Sequence, residues 1–315
     1  MRVTNNMVSN RVLADLQSQY ATMAKTQEQV STSKRVNRPS DDPTAAAQAR
    51  LRTGQLAGIK SSQDSVDSAT TWLGGAETGL SSINDLLQTA NELTLEGVNG
   101  SMSQENRNGI ADQIDQLVKS AKDTMNAKLG DAYIFSGTKS DTPPYTDATG
   151  DVYQGDNNTV AREAGAGVAL QVNPSFNAIG SGGSAPLTGD SILGGGAASG
   201  DGRVLATLEA ISAHLRSGTP ADLTALSTTD LTALKANQTA VSDARSMVGA
   251  MTNRATAATQ RLSDLEDATT KSIDDLVGVD TAKALISYTS QSAAYQAALK
   301  VGAQIIQPSL LDFLS

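Results

Sequence analysis

The chain has 315 residues, 39% hydrophobic but only 3% aromatic, and 24 basic side chains against 33 acidic ones give a net charge of −9. Aromatic side chains bury roughly 150–250 Å² each, so a chain this poor in them suits long helices with thin seams better than one thick core. The acid excess disfavours nucleic acid and anionic membranes as partners, and the lack of cysteine excludes disulfides, thiolate metal sites and cysteine nucleophiles. No apolar run approaches the ~20 residues that span a bilayer. The start, Met1-Arg2-Val3-Thr4-Asn5-Asn6, lacks the apolar stretch of a signal peptide. These rules alone point to the cytoplasm.

From about Asn5 to Lys34, Val12, Leu16, Gln19, Met23, Thr26 and Val30 recur at alternate spacings of four and three, the pattern of a coiled-coil seam. Arg38 precedes Pro39 and is pushed out of the helical region, so this helix ends by there. Asp42 before Pro43 reads as an N-cap with proline at the first helical position.

The second helical stretch carries Val66, Ala69, Leu73, Ala76, Leu80, Ile83, Leu87, Ala90 and Thr94 in strict threes and fours. Gly97-Val98-Asn99-Gly100 ends it and Ser103 can cap the next helix. Ile110, Ile114, Leu117, Ala121 and Leu129 continue the pattern, so an antiparallel helical hairpin is expected. From Tyr133 aromatic residues and Gly/Pro/Asp turns concentrate, with β-like runs at Asp151–Gln154, Thr159–Arg162 and Gly167–Val172. They predict a small β-rich insert over about Thr138 to Gly180, followed by a Gly/Ser-rich loop to Gly202.

Helix returns with Val204, Leu208, Ile211 and Leu215 and stops at Gly218-Thr219-Pro220. Val241, Ala244, Val248, Met251, Ala255, Ala258, Leu262, Leu265, Thr269, Ser272 and Leu276 then form the clearest heptad run. After Gly278 the register resets to Leu285, Tyr288, Ser292, Tyr295, Leu299, Gly302 and Ile306, and Pro308 closes the helix before the apolar end, which includes Leu310 and Leu311. The expected fold is mainly α with a small β-rich inserted domain, elongated, with N- and C-terminal helices paired as a coiled-coil-like bundle. The parts are an assembly helix over 1–40, rod segments over 41–137 and 201–279, the insert and its loop over 138–200, and a second assembly helix over 280–315.

No residue set for catalysis emerges, and no enzyme activity, cofactor or metal is expected. His214 is the only histidine and reads as a helix-flanking residue. Asp41 and Asp42 near Lys34, Arg35 and Arg38 read as a capped turn whose acids face a positive helix end. Asp147, Asp151 and Asp156 do not follow the calcium-loop pattern. The Gly194–Gly200 run lacks the strand and Lys-Ser/Thr of a phosphate loop. Trp72, beside Leu73, reads as packing.

The segment Ser31–Pro43, with Arg35, Asn37, Pro39, Asp41, Asp42 and Pro43 at its heart, resembles the N-terminal signature of the flagellin superfamily, in the form of its hook-associated protein 3 branch. Asp131-Ala132-Tyr133-Ile134-Phe135-Ser136-Gly137-Thr138, followed by Thr142-Pro143-Pro144-Tyr145, supports that branch, as do Val152-Tyr153-Gln154-Gly155-Asp156 and the end from Ala294 to Leu314. The resemblance spans nearly the whole chain and weakens between Gly180 and Thr239. It implies a non-catalytic subunit, needed for motility, in a ring joining hook-associated protein 1 on the hook side to flagellin on the filament side. It also implies export unfolded through the flagellar type III apparatus without a cleaved signal, an export chaperone on the C-terminal helix, and an extracellular place on the flagellum.

Val12, Leu16, Met23, Val30, Leu285, Tyr288, Tyr295, Leu299, Ile306, Leu310 and Leu311 are then the expected assembly interface. Thin Ala/Ser/Thr-rich seams return little burial energy against the roughly 1–2 kcal/mol per residue lost on ordering backbone. Both ends are therefore expected to be disordered in the monomer and to fold on assembly. The alternatives are a flagellin that polymerises into the filament itself, a non-flagellar coiled-coil adapter or secreted scaffold, and an enzyme in the insert.

Overall fold

A computed structural model of the chain describes residues 5–146, 150–165 and 167–306, with side chains described from 7 to 303 within those ranges. Its elements in order are α1 (Asn5–Thr32), α2 (Pro43–Gly97), α3 (Gln104–Met125), β1 (Lys128–Leu129), β2 (Ala132–Tyr133), β3 (Ala161–Glu163), β4 (Ala169–Gln171), β5 (Ser175–Asn177), β6 (Ser184–Pro186), α4 (Gly189–Ile192), α5 (Val204–Ser217), α6 (Pro220–Ala225), α7 (Leu231–Val277) and α8 (Thr281–Ile306). The chain divides into two compact units, one of residues 1–59 with 264–315 and the other of residues 60–263. The fold is mainly α with a small β-rich region.

In the larger unit the heptad stripe of α2 is the core. Val66, Ala69, Leu73, Ala76, Leu80, Ile83, Leu87, Ala90 and Thr94 are all at most 1% exposed. The spacing of these side chains puts them on one face of the helix, and that face is dry. Val241, Ala244, Val248, Ala255 and Leu262 of α7 are buried as well. α3 packs against α5, where Val204, Leu208, Ile211 and Leu215 are buried. Helix α5 ends on Gly218 in the left-handed conformation, and Thr219 then caps α6, with Pro220 in its first turn. Arg107, itself buried, reaches back from α3 to the carbonyls of Gly97 (3.2 Å) and Asn99 (3.1 Å), satisfying acceptors that the end of α2 leaves open.

Among the described residues the β-rich region has three antiparallel two-stranded ladders, β1–β2, β3–β4 and β5–β6. Its large buried side chains include Phe135, Tyr145, Phe176, Leu187 and Leu193. A Cβ at Gly79 would lie 2.8 Å from the Phe135 ring, so a helix residue without a side chain is what lets this segment lie on α2. The Tyr145 hydroxyl donates to the carbonyls of Gly194 (2.8 Å) and Gly189 (3.1 Å), and the Tyr153 hydroxyl donates to that of Phe135 (2.9 Å).

Several sequence expectations are corrected here. Asp151–Gln154 is not a strand: Tyr153 turns inward to make its hydrogen bond and Val152 stays 62% exposed. The stretch from Gly180 to Gly202 is not only loop. It contains β6, the short helix α4 and a 3₁₀ turn at Ala197–Ser199, with Thr188 and Ser191 forming a reciprocal capping box. Leu129 lies in β1 because α3 has already ended at Met125. A π-helical turn at Leu226–Asp230 joins α6 to α7. None of these short elements has enough residues to show a period.

In the smaller unit α1 packs against α8. The pair is antiparallel: Val12 lies by Gly302, the tilted rings of Tyr20 and Tyr295 lie 5.9 Å apart, and Ser33 bonds to Val279. Val36, Ala45, Ala49 and Val277 form a small core, lined further by Ala46, Ile273 and Leu276.

Candidate functional site

The turn between α1 and α2 is densely hydrogen-bonded. Helix α1 stops at Ser33, which takes a left-handed conformation (φ 56°). The chain then runs as a short antiparallel partner of the α7–α8 junction. Lys34 bridges Gly278, Arg35 N–H donates to the Val277 carbonyl (2.7 Å), and Val279 N–H donates to that of Ser33 (3.2 Å). The Arg35 guanidinium adds a bond to the Leu276 carbonyl (2.9 Å) and reaches Asp42 at 3.3 Å.

Each carboxylate of the turn accepts from backbone. Asp41 Oδ2 accepts from the N–H groups of Asn37 (3.2 Å) and Arg38 (3.1 Å), and its Oδ1 pairs with Lys25 (2.8 Å). Asp42 Oδ1 accepts from Ala45 N–H (3.0 Å), capping α2, which Pro43 opens. Lys25, with the Arg38 N–H second, holds the Asp41 carboxyl below the ordinary aspartate range; the Ala45 N–H, with Arg35, does the same for Asp42. The Asn37 amide donates to the Lys34 carbonyl (3.2 Å). Pro39 and Pro43 are exposed. The chemistry of the turn is that of a clasp that ties the end of α1 to the start of α2 and to the end of α7.

The expected interface residues divide into two groups. Val12, Leu16, Met23, Val30, Tyr288 and Tyr295 are half-buried, and a Cβ on Gly302 would meet Val12 Cγ1 at 3.3 Å and Leu16 Cδ1 at 3.6 Å. Leu285 and Leu299 lie off this seam, 51% and 45% exposed, beside Ile286 (71%) and Val301 (55%). The buried stripe of α8 holds Ala284, Ala298 and Gly302 around the two tyrosines, one position from the register expected at Leu285 and Leu299. Small residues let α1 approach closely, and the leucines face away. Gln291 joins that stripe with its Oε1 buried and without a partner among the described residues. Sequence reasoning passed over Ala284, Gln291 and Ala298, although small residues at matching spacing marked the seam. The Ile306 side chain, Leu310 and Leu311 lie outside the described residues.

The other candidates sit in hydrogen bonds, ion pairs and packing contacts. His214 Nδ1 sits 2.7 Å from Asp230 Oδ2, a carboxylate that the π-helical turn carries into the interior. Asp151 pairs with Lys122 (2.9 Å), and Asp156 accepts from the N–H and hydroxyl of Thr138; Asp147 lies outside the described residues. Amides of the glycine-rich run are taken by carboxylates, Gly195 N–H by Asp201 (3.0 Å) and Ala197 N–H by Glu209 (2.6 Å). Trp72 is buried with Arg162 over its ring. Among the described residues no group of three metal-ligating side chains is placed to hold an ion, and no helix is long and apolar enough to cross a membrane.

Two family models match the chain. The bacterial flagellin N-terminal helical region matches residues 3–140, and the bacterial flagellin C-terminal helical region matches residues 231–314. Flagellar hook-associated protein 3 of Escherichia coli is 28% identical over 312 residues, covering 95% of each chain. Flagellar hook-associated protein 3 of Salmonella typhimurium is 31% identical over 157 residues, and that match covers 50% of each chain. A solved flagellar hook-associated protein from Vibrio parahaemolyticus has the same fold, with a TM-score of 0.65 at 23% identity over 76% of this chain and 100% of that one. With flagellin helical regions at both ends and likeness to hook-associated protein 3 along nearly its full length, the chain belongs to the flagellin superfamily, in its hook-associated protein 3 branch.

Proposed function

We propose that this chain is a structural, non-catalytic subunit of the bacterial flagellum that forms the junction between the hook and the flagellin filament. The observation that carries the reading is the similarity to a hook-associated protein 3 over 95% of both chains, β-rich region included. In this reading hook-associated protein 1 lies on one side, flagellin on the other, and further copies of the chain complete a ring. The protein is exported through the flagellar type III apparatus, with a chaperone holding the C-terminal helix, and acts outside the cell in motility.

The two terminal helices supply the means. Val12, Leu16, Met23, Val30, Tyr288 and Tyr295 join α1 to α8, and Leu285 and Leu299 on the outer face of α8 meet neighbouring subunits. Ile306, Leu310 and Leu311 extend that contact. The clasp of Arg35, Asn37, Pro39, Asp41, Asp42 and Pro43 sets the path from the terminal pair into the rest of the chain.

The test is reconstitution on purified hooks that end in hook-associated protein 1. Flagellin should grow into attached filaments only after this chain has been added. Growth without it, or long self-propagating filaments from this chain on filament seeds, would overturn the reading, the second outcome in favour of a flagellin.

A further inference from the structure

The turn after α2 contains a chemically reactive pair, Asn99-Gly100, and we propose that it is a site of spontaneous deamidation that slowly converts Asn99 to aspartate and isoaspartate in the folded protein. Asn99 and Gly100 are both exposed, and nothing lies within 4 Å of where a Gly100 side chain would start. The Gly100 N–H donates to no group among the described residues. Glycine also leaves the backbone free to reach the ring-closing geometry.

The reaction balances without any cofactor. Hydroxide removes the Gly100 amide proton, and the nitrogen attacks Asn99 Cγ. The negative charge of the tetrahedral intermediate falls on Asn99 Oδ1. That oxygen already accepts from Ser101 N–H (3.1 Å) and the Ser101 hydroxyl (2.8 Å), two donors aimed where charge develops. The Cγ–Nδ2 bond then breaks, Nδ2 takes up a proton and leaves as ammonia, and a succinimide remains. Water opens it at either carbonyl, giving aspartate or, with one extra methylene in the main chain, isoaspartate. The Asn99 carbonyl is the acceptor for Arg107 (3.1 Å) and for Met102 N–H (3.0 Å), so the isoaspartyl product shifts a carbonyl that ties α2 to α3.

The chain carries its own control, a second Asn-Gly pair at Asn108-Gly109. It lies inside α3, where the helical ladder holds the Gly109 amide and the backbone is locked away from ring closure. Local unfolding must precede reaction there. Cleavage after Arg107 separates the two pairs, so each is read on its own tryptic peptide.

The experiment incubates the full-length protein in mildly alkaline buffer and follows both peptides by mass spectrometry, with isoaspartyl methyltransferase labelling to detect isoaspartate. A parallel sample is held unfolded in urea. In the folded protein Asn99 should convert at least ~10-fold faster than Asn108, since a residue held in a stable element reacts only from its rare open state; in urea the two rates should converge. Equal rates in the folded protein overturn the proposal, and so does an unconverted Asn99 in a folded sample whose urea partner has reacted.

Discussion

Ser33 ends α1 at φ 56°, a conformation that glycine adopts freely and that costs other L-residues roughly 1–2 kcal/mol. It is kept because the clasp depends on the direction in which the chain leaves the helix. Ser33→Gly should therefore raise stability, by up to about 1 kcal/mol after the extra entropy of glycine in the unfolded chain is deducted. Denaturant titration measures this, and a loss of stability would show the strain reading to be wrong. The acids of the clasp make it sensitive to pH in one direction. The folded-state pKa values of Asp41 and Asp42 lie below the ordinary 3.8, so their contribution is present in full above that value and is lost as pH falls through the folded values. Asp41→Asn removes the Lys25 partner and should flatten the acid limb of stability against pH while lowering stability at neutrality. An unchanged acid limb in thermal melts across the acid range would count against it.

Among the helices, the same residue type serves two purposes. Leu80 is fully buried on the α2 stripe, and Leu80→Ala should cost about 2–5 kcal/mol in a denaturant titration. Leu299 is 45% exposed on α8, so Leu299→Asp should leave the circular-dichroism spectrum and melting of the larger unit unchanged. It should nevertheless block incorporation in the hook reconstitution. A Leu299→Asp chain that assembles normally would remove the outer face of α8 from the proposed interface. Sequence period served α2 well because its apolar residues occupy one stripe and little else. On α8 it marked Tyr288, Tyr295 and Gly302, which lie on the side of α1, together with Leu285 and Leu299, which do not, because Leu285, Ile286, Leu299 and Val301 make the helix apolar on more than one side.

For the whole molecule, the two units rest on different amounts of buried side chain. The larger unit has long stripes of fully buried Leu, Ile and Val together with Phe135 and Tyr145, whereas the buried positions of the smaller one are mostly alanine and valine. Little buried surface means low local stability. The ends, about 1–34 and 280–315, should accordingly be the first cut in limited proteolysis of the monomer, and residues 60–263 should persist as a resistant core. Equal resistance along the chain would sink the idea that the ends become ordered on assembly. Some of this was legible in the residues alone. The stripes of α2 and α5, the Asp42–Pro43 helix start and the Gly218 stop all follow from interactions within a few residues, and so do the turn motifs that carried the family resemblance. The tertiary structure alone decided which face of α8 meets α1, that Arg35 reaches the Leu276 carbonyl, that the Gly/Ser-rich stretch holds β6 and α4, and where the tyrosine hydroxyls find acceptors. Those choices depend on partners far away in the chain, because a buried donor or a small-residue seam acquires its meaning only from the group packed against it.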